Sequence, residues 1–373
     1  MNEILNAIAL TRVSYFSLAG MLELYRRMGS ATAVMEHRRD IRDMMPDASD
    51  RLMEALANVD EPLRRAEAEL EFCEHNGIRP LAMNDTDYPL RLRECDDAPL
   101  VVYYKGSATL NPQHVVCIVG TRHSTVYGED LIRRFTQELR ALCPQTLIVS
   151  GLAYGIDICV HRHALQNGMS TVAVLAHGQD DLYPPRHRQT ADEMVRNGGL
   201  LTEYPSGTRA DRVNFVRRNR IVAGMSDACI LVESAAKGGG LITCGIARDY
   251  NRDVFAFPGA VGAPYSEGCN NLIRNNGAAL ITSARDFVES MGWQTAATLQ
   301  EAQRQGIERQ IFPDLTDEER QVVGTLQRTN DLQINMLSVQ TGIPIGRLTA
   351  VLFSLEMKGV IKNLAGGVYH LMV

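Results

Sequence analysis

The apolar residues change their spacing along the chain. From residue 1 to about 80 they recur three and four apart, in ILNAIALTRV, YFSLAGMLELYRRMGS and RLMEALANV, with Gly29-Ser30 and Pro46-Asp47 as interruptions. That spacing places them on one face of short helices, and strand signals are absent. From Val115 the pattern differs. VVCIVG (115–120), TLIVSG (146–151), STVAVLA (170–176), LLTEY (200–204), ACILVE (228–233), VFAFPG (254–259) and AALI (278–281) are short, nearly continuous apolar runs. Stretches of helical period, such as EDLIRRFTQELRAL and IDICVHRHALQNG, separate them. A strand that is apolar throughout is covered on both faces, and strands alternating with helices form a parallel sheet. The pattern predicts an α/β fold: a Rossmann-like, doubly wound, mostly parallel sheet. LVVYYKG (100–106) supplies one more strand in an N-terminal extension of that domain.

Beyond it, residues 291–312 are polar, Gln-rich and weakly periodic, which reads as a linker. LTDEERQVVGTLQ, INMLSVQTG and PIGRLTAVLFSLEMKG then predict three helices, followed by a hairpin around Ala365-Gly366-Gly367. That is the order of a winged helix. The expected organisation is a helical domain over 1–80, the α/β domain over 81–290, a linker over 291–312 and a winged-helix domain over 313–373.

Charge refines this picture through its distribution. The 373 residues carry a formal net charge of −6, which suits a nucleic-acid binder poorly as a sum. Residues 1–80 hold ten Lys and Arg against fourteen Asp and Glu, whereas residues 186–220 hold eight arginines against four acids. An acidic protein with one arginine-dense stretch points to a local anion site rather than a basic coat. No run of 18 apolar residues exists to cross a membrane. Glu3 stands where a signal peptide would carry a basic residue. The eight cysteines are scattered, without C-x-x-C or zinc-ligand spacing. The expectation is a cytoplasmic protein without disulfides, metal or membrane contact.

Ligands of a doubly wound sheet bind beyond the carboxyl ends of its strands, so the residues that follow each strand carry the candidate chemistry. These are Gly120-Thr121-Arg122, Ser150-Gly151, the Arg186 segment YPPRHR, NFVRRNR with Arg218, Asn219 and Arg220, and Lys237-Gly238-Gly239-Gly240. Glycines bare the backbone amides, helices starting there present their positive ends, and the arginines and the lysine add full charges on one rim. That combination suits phosphates, and several such loops suit a chain of them. The first strand is not followed by G-x-G-x-x-G, and G-x-x-x-x-G-K-[ST] is absent, which argues against NAD and ATP. A nucleotide phosphoribohydrolase of the lysine-decarboxylase-like group is the competing reading. Its catalytic Glu, three residues after the Thr of a Gly-Gly-x-Gly-Thr turn, is replaced here by Ile246.

Taken together, IVGTRHSTVYG, IVSGLAYGIDICVHRHAL, YPPRHR, LLTEYPSGT, NFVRRNRIVAGMSD, ESAAKGGGLIT, FAFPG and GCNNLIRNNGA, in this order and spacing, resemble the DprA (Smf) family of bacterial DNA-processing proteins. The likeness is dense over roughly 81–290. It implies a non-enzymatic, cofactor-free protein with a helical (SAM/HhH-like) N-terminal domain, a Rossmann-like core and a winged helix. Such a protein binds and protects incoming single-stranded DNA, dimerises and helps load the RecA recombinase during transformation. By motif, Gly120, Thr121 and Arg122, Ser150 and Gly151, and Arg218, Asn219 and Arg220 would contact the DNA. Lys237 precedes a segment that relatives write Ser-Gly-Ser. Here it is Gly238-Gly239-Gly240, which leaves backbone amides as the donors. Asn270 and Asn271 would be outer contacts.

Other readings compete residue by residue. Arg217 is set aside because three neighbouring arginines cannot share one helix face. Asp157 reads as a helix-orienting acid, and Tyr154 and Phe215 as rings able to stack on bases, with core packing the favoured reading for Phe215. His161 and His163, two apart, do not form a metal pair. The third winged-helix segment carries one arginine, Arg347, before Glu356. It therefore reads as a protein-interaction or structural element rather than a major-groove reader.

Overall fold

The computed structural model describes residues 3–13, 18–295, 315–364 and 366–372. Most of the expected linker, from 296 to 312, and Ala365 of the expected hairpin turn lie outside them. The central sheet has nine strands: β1 (Arg79–Ala82), β2 (Val101–Gly106), β3 (Val115–Val119), β4 (Leu147–Ser150), β5 (Thr171–Val174), β6 (Gly198–Thr202), β7 (Ala228–Leu231), β8 (Asp253–Ala256) and β9 (Ala279–Leu280). They lie in the order β1-β2-β6-β5-β4-β3-β7-β8-β9. From β6 to β9 in that order all neighbours are parallel, while β1 and β2 add an antiparallel edge. The sequence reading missed β1, a four-residue segment whose Pro80 is tolerated only near an edge.

The period-two geometry of a strand sends the residues of β3 into two cores. Val115, Cys117 and Val119 join the cluster under the helices Arg212–Gly224 and Gly239–Asp249. Val116 and Ile118 join the opposite one under Val126–Leu142 and Ile156–Gln166. Both faces of the sheet are thus covered, as its continuous apolar runs require. The chain steps outward from β3 through β4 and β5 to β6, then crosses back to start β7 on the other side of β3. A crevice opens at that reversal, above the carboxyl ends of β3 and β7.

Among the described residues, six helices between Glu3 and His75 precede the sheet. Ser30 and Ser49 cap two of them, and the Glu3 carboxylate accepts the amides of Ala31 (2.9 Å) and Thr32 (2.8 Å). Their apolar face shares one cluster with β1, β2 and the first sheet core. Glu69, 4% exposed, accepts both the amide (2.8 Å) and hydroxyl (2.6 Å) of Ser206, tying these helices to the segment that leads into Arg212–Gly224.

At the other end, the helices Asp317–Arg328, Ile334–Thr341 and Ile345–Met357 pack with β10 (Leu332–Gln333), β11 (Ile361–Leu364) and β12 (Val368–Leu371) as a winged helix. It is docked at the amino-terminal edge of the sheet: Gln113 donates to the Asn330 carbonyl (3.2 Å), and Val368 shares a cluster with Phe287 and Trp293. The expected linker therefore starts too early. Met291 and Trp293 are buried, and the Trp293 ring stacks on His114 at 4.1 Å. Two isolated anchors in a polar stretch leave no periodic signal.

His114 and the fully buried His161 are both pushed down by burial, to about 4. They stay neutral in the fold while the unfolded chain takes up protons below about 6.5. Their contribution to stability is complete above pH 6.5 and is lost as the pH falls toward 4. The expected result is a Tm that declines across that window, followed through Trp293, the chain's single tryptophan. His114→Phe, which keeps the stacked ring, should lessen the decline; an unchanged pH profile would contradict this assignment.

Candidate nucleic-acid interface

Three strand-end loops are tied into one rim. The Thr121 amide donates to the Glu233 carbonyl after β7 (2.8 Å), and the Ile156 amide donates to the Thr121 carbonyl (3.1 Å). The buried Glu233 carboxylate accepts the amide (2.9 Å) and hydroxyl (2.6 Å) of Thr125, whose own side chain caps the helix Val126–Leu142. Two glycines make this closeness possible. Gly155 sits at φ +75°, where a Cβ would lie 2.3 Å from the Thr121 carbonyl oxygen. At Gly151 a Cβ would lie 2.4 Å from Asp157 Oδ2 and 2.5 Å from Arg218 Nη1, so these two charged groups converge over bare backbone.

Above the loops lies a cavity of about 300 Å³. Its lining includes Gly120, Thr121, Arg122, Gly151, Asp157, Phe215, Arg218, Asn219, Lys237 and Gly238–Gly240. Arg122 and Lys237 are exposed at its rim, whereas Arg218 is 4% exposed. Arg218 Nη1 donates to the Val174 carbonyl, and its Nε is buried without a hydrogen-bond partner among the described residues. Burial pushes the Asp157 carboxyl up from its ordinary value while Arg218 pulls it back; burial pushes the Arg218 guanidinium down while Asp157 supports it. The helix Gly239–Asp249 starts at Gly238 with no side-chain cap, so its first amides remain open toward the cavity. Buried and exposed guanidinium groups, an ammonium and uncapped amides form a receptacle for anionic oxygens.

The structure divides the residues expected from the sequence. Gly120, Thr121, Arg122, Gly151, Arg218, Asn219, Lys237 and Gly238–Gly240 come together. Ser150 does not: its hydroxyl is fully buried and donates to the Ile118 carbonyl (2.7 Å), which holds β4 against β3. Arg220 does not line the pocket either. It pairs with Glu203 and donates to the Asp97 carbonyl (2.8 Å), because two residues beyond Arg218 a helix presents its opposite side. Arg186 is exposed on the neighbouring turn Pro185–His187, outside the cavity. Asn270 exchanges hydrogen bonds with the backbone of Gly259 (3.0 and 3.1 Å).

Phe215 is the residue misread as core. It is half-buried at the pocket, with the Arg122 guanidinium 5.2 Å from its ring centroid and Tyr183 at 5.8 Å. A signal for it was present in the sequence. Phe215, Arg218, Asn219 and Val222 fall at i, i+3, i+4 and i+7 and so share one helix face, and all four line the cavity.

The molecule is thus a doubly wound α/β core with a pocket lined by cationic side chains and open amides at its switch point, joined to a winged helix. The family model described as DNA recombination-mediator protein A matches residues 79–292, and the DprA winged helix domain matches 308–367. The chain belongs to the DprA (Smf) family of DNA recombination mediators. It is 34% identical over 329 residues to Protein Smf of Synechocystis, covering 80% of this chain and 81% of that one. It is 39% identical over 204 residues to DNA processing protein DprA of Streptococcus pneumoniae, covering 55% and 71%. The solved structure of the pneumococcal DprA superposes with a TM-score of 0.65 at 31% identity, covering 75% of this chain and 95% of that one. DNA processing protein A from Helicobacter pylori, solved to describe its single-stranded DNA binding mode, gives 0.51 at 26% identity, covering 57% and 95%.

Proposed function

We propose that this chain binds single-stranded DNA in the pocket over β3 and β7 and acts, without catalysis or cofactor, as a cytoplasmic mediator that protects the strand and helps load RecA onto it, as a homodimer. Arg122, Arg218, Lys237 and the amides of Gly238–Gly240 hold phosphates, Asn219 adds a polar contact, and Phe215 receives a base. The observation that carries the reading is Arg218: a buried guanidinium at the pocket whose Nε lacks a hydrogen-bond partner among the described residues. An unsatisfied buried donor costs about 1–3 kcal/mol unless a ligand completes it. Position 246, where a phosphoribohydrolase needs its carboxylate, holds an isoleucine packed against the core, which disfavours that alternative.

The test is a salt-varied titration with a single-stranded oligonucleotide, a duplex of the same sequence and nucleoside monophosphates. Preference for the single strand is expected, with log affinity falling by about 0.7 per log unit of salt for each phosphate neutralised. Equal binding of duplex, or release of free base from the monophosphates, would overturn the reading.

A further inference from the structure

One aromatic side chain of the pocket and two beyond it stand near its rim on three different segments. Phe215 comes from the helix Arg212–Gly224, Tyr183 from the loop after β5, and Tyr154 from the loop after β4. Tyr183 is 47% and Tyr154 43% exposed. Large rings left in water have no share in the core and are available to a ligand. Both are nevertheless held in place. The Tyr183 amide donates to His177 Nε2 (3.2 Å), buried Leu182 precedes it, and its ring lies 5.8 Å from that of Phe215. Tyr154 lies between Ala153, a pocket residue, and Gly155, which touches the Arg122 backbone. Its ring packs at 71° on His187, 5.0 Å away, and His187 Nδ1 is hydrogen-bonded to the Leu152 carbonyl (2.8 Å). Exposed Arg186 and Arg188 flank this His187 turn.

From this we infer that Tyr183 and Tyr154 are base-stacking platforms that extend the site from the switch point along the ends of β4 and β5, so that one strand runs out of the pocket across them. The occupant is more of the same single strand. The track is continuous with the cationic pocket through Phe215 and Arg122, and rings stack on any base without reading sequence. A duplex, whose bases are already stacked on each other, gains nothing from them. The inference rests on the single-strand reading above.

The test uses the full chain, a tetranucleotide and a dodecanucleotide of thymidine, and a dodecamer whose central bases are replaced by abasic sites. The Tyr183→Ala/Tyr154→Ala variant should bind the tetramer like the unmodified protein and lose at least about fivefold on the dodecamer. It should lose little on the abasic strand, and Tyr183→Phe should retain full affinity. If the double variant binds the dodecamer normally while Arg122→Ala is weakened on every strand, the track is wrong and the pocket stands. If Arg122→Ala leaves every strand unaffected, the pocket reading itself fails. A loss of equal size on the intact and abasic dodecamers also refutes stacking.

Discussion

Replacing Arg122 by alanine should weaken single-strand binding about ten- to a hundredfold, whatever the base sequence. A hydrogen bond to a charged group contributes about 1.5–3 kcal/mol, and each 1.4 kcal/mol is a factor of ten in affinity. The salt dependence should flatten by about 0.7, the share of one phosphate. Removing the guanidinium also removes its contact with the Phe215 ring, so Phe215 loses part of what orients it. Arg122 is exposed and sits in a turn held by backbone bonds of Thr121 and Thr125. The fold should therefore be unaffected, with stability changed by no more than about 0.5 kcal/mol. Arg218→Ala is a poorer probe, because it would strand Asp157 as a buried carboxyl beside Gly151 and mix stability with affinity. Anisotropy titrations at several salt concentrations check the prediction. Unchanged affinity, or weaker binding with an unchanged salt slope, would remove Arg122 from the phosphate site.

The contrast between Arg218 and Arg220 shows how far a sequence can be read. Strands buried on both faces write themselves as unbroken apolar runs, so β3 to β8 and the loops at their ends are legible without coordinates. The loops name a set of glycines and cations. They do not say which cation turns inward, because that depends on partners far away in the chain. Arg218 is drawn in by the Val174 carbonyl of β5, and Arg220 is drawn off by Glu203 and the Asp97 carbonyl. Ser150 is the same case: a hydroxyl at a strand end can face a ligand or the neighbouring strand, and here the Ile118 carbonyl takes it. Phe215 was legible by helical phase once Arg218 was fixed as inward. Trp293 and β1 were not, since a lone anchor and a four-residue edge strand carry no period.

Asp227→Ala should destabilise the protein by about 3–5 kcal/mol, the usual cost of removing one partner from a buried ion pair. Arg91 and Asp227 are 1% and 2% exposed, with Arg91 Nε 2.5 Å from Asp227 Oδ1. The other carboxylate oxygen accepts the Val115 amide (2.7 Å) at the start of β3, and the Arg91 Nη atoms donate to the carbonyls of Pro112 (3.1 Å) and Gln113 (2.7 Å). Asp227 immediately precedes β7. The pair therefore fastens the short helix Leu90–Arg93 to the amino ends of the two strands whose carboxyl ends form the pocket. Without the carboxylate, Arg91 stays buried and uncompensated, and the Val115 amide loses its acceptor. Against the 5–15 kcal/mol that holds a typical native fold, a loss of this size is decisive. Chemical denaturation followed through Trp293 measures it. Replacing both partners by apolar residues of similar size should recover part of the loss, because the desolvation of two charges disappears with them. A single-variant cost below about 1 kcal/mol would show that this pair does not fasten β3 and β7. The orientation of the pocket they carry would then have to come from the Glu233–Thr125 bonds at their other end.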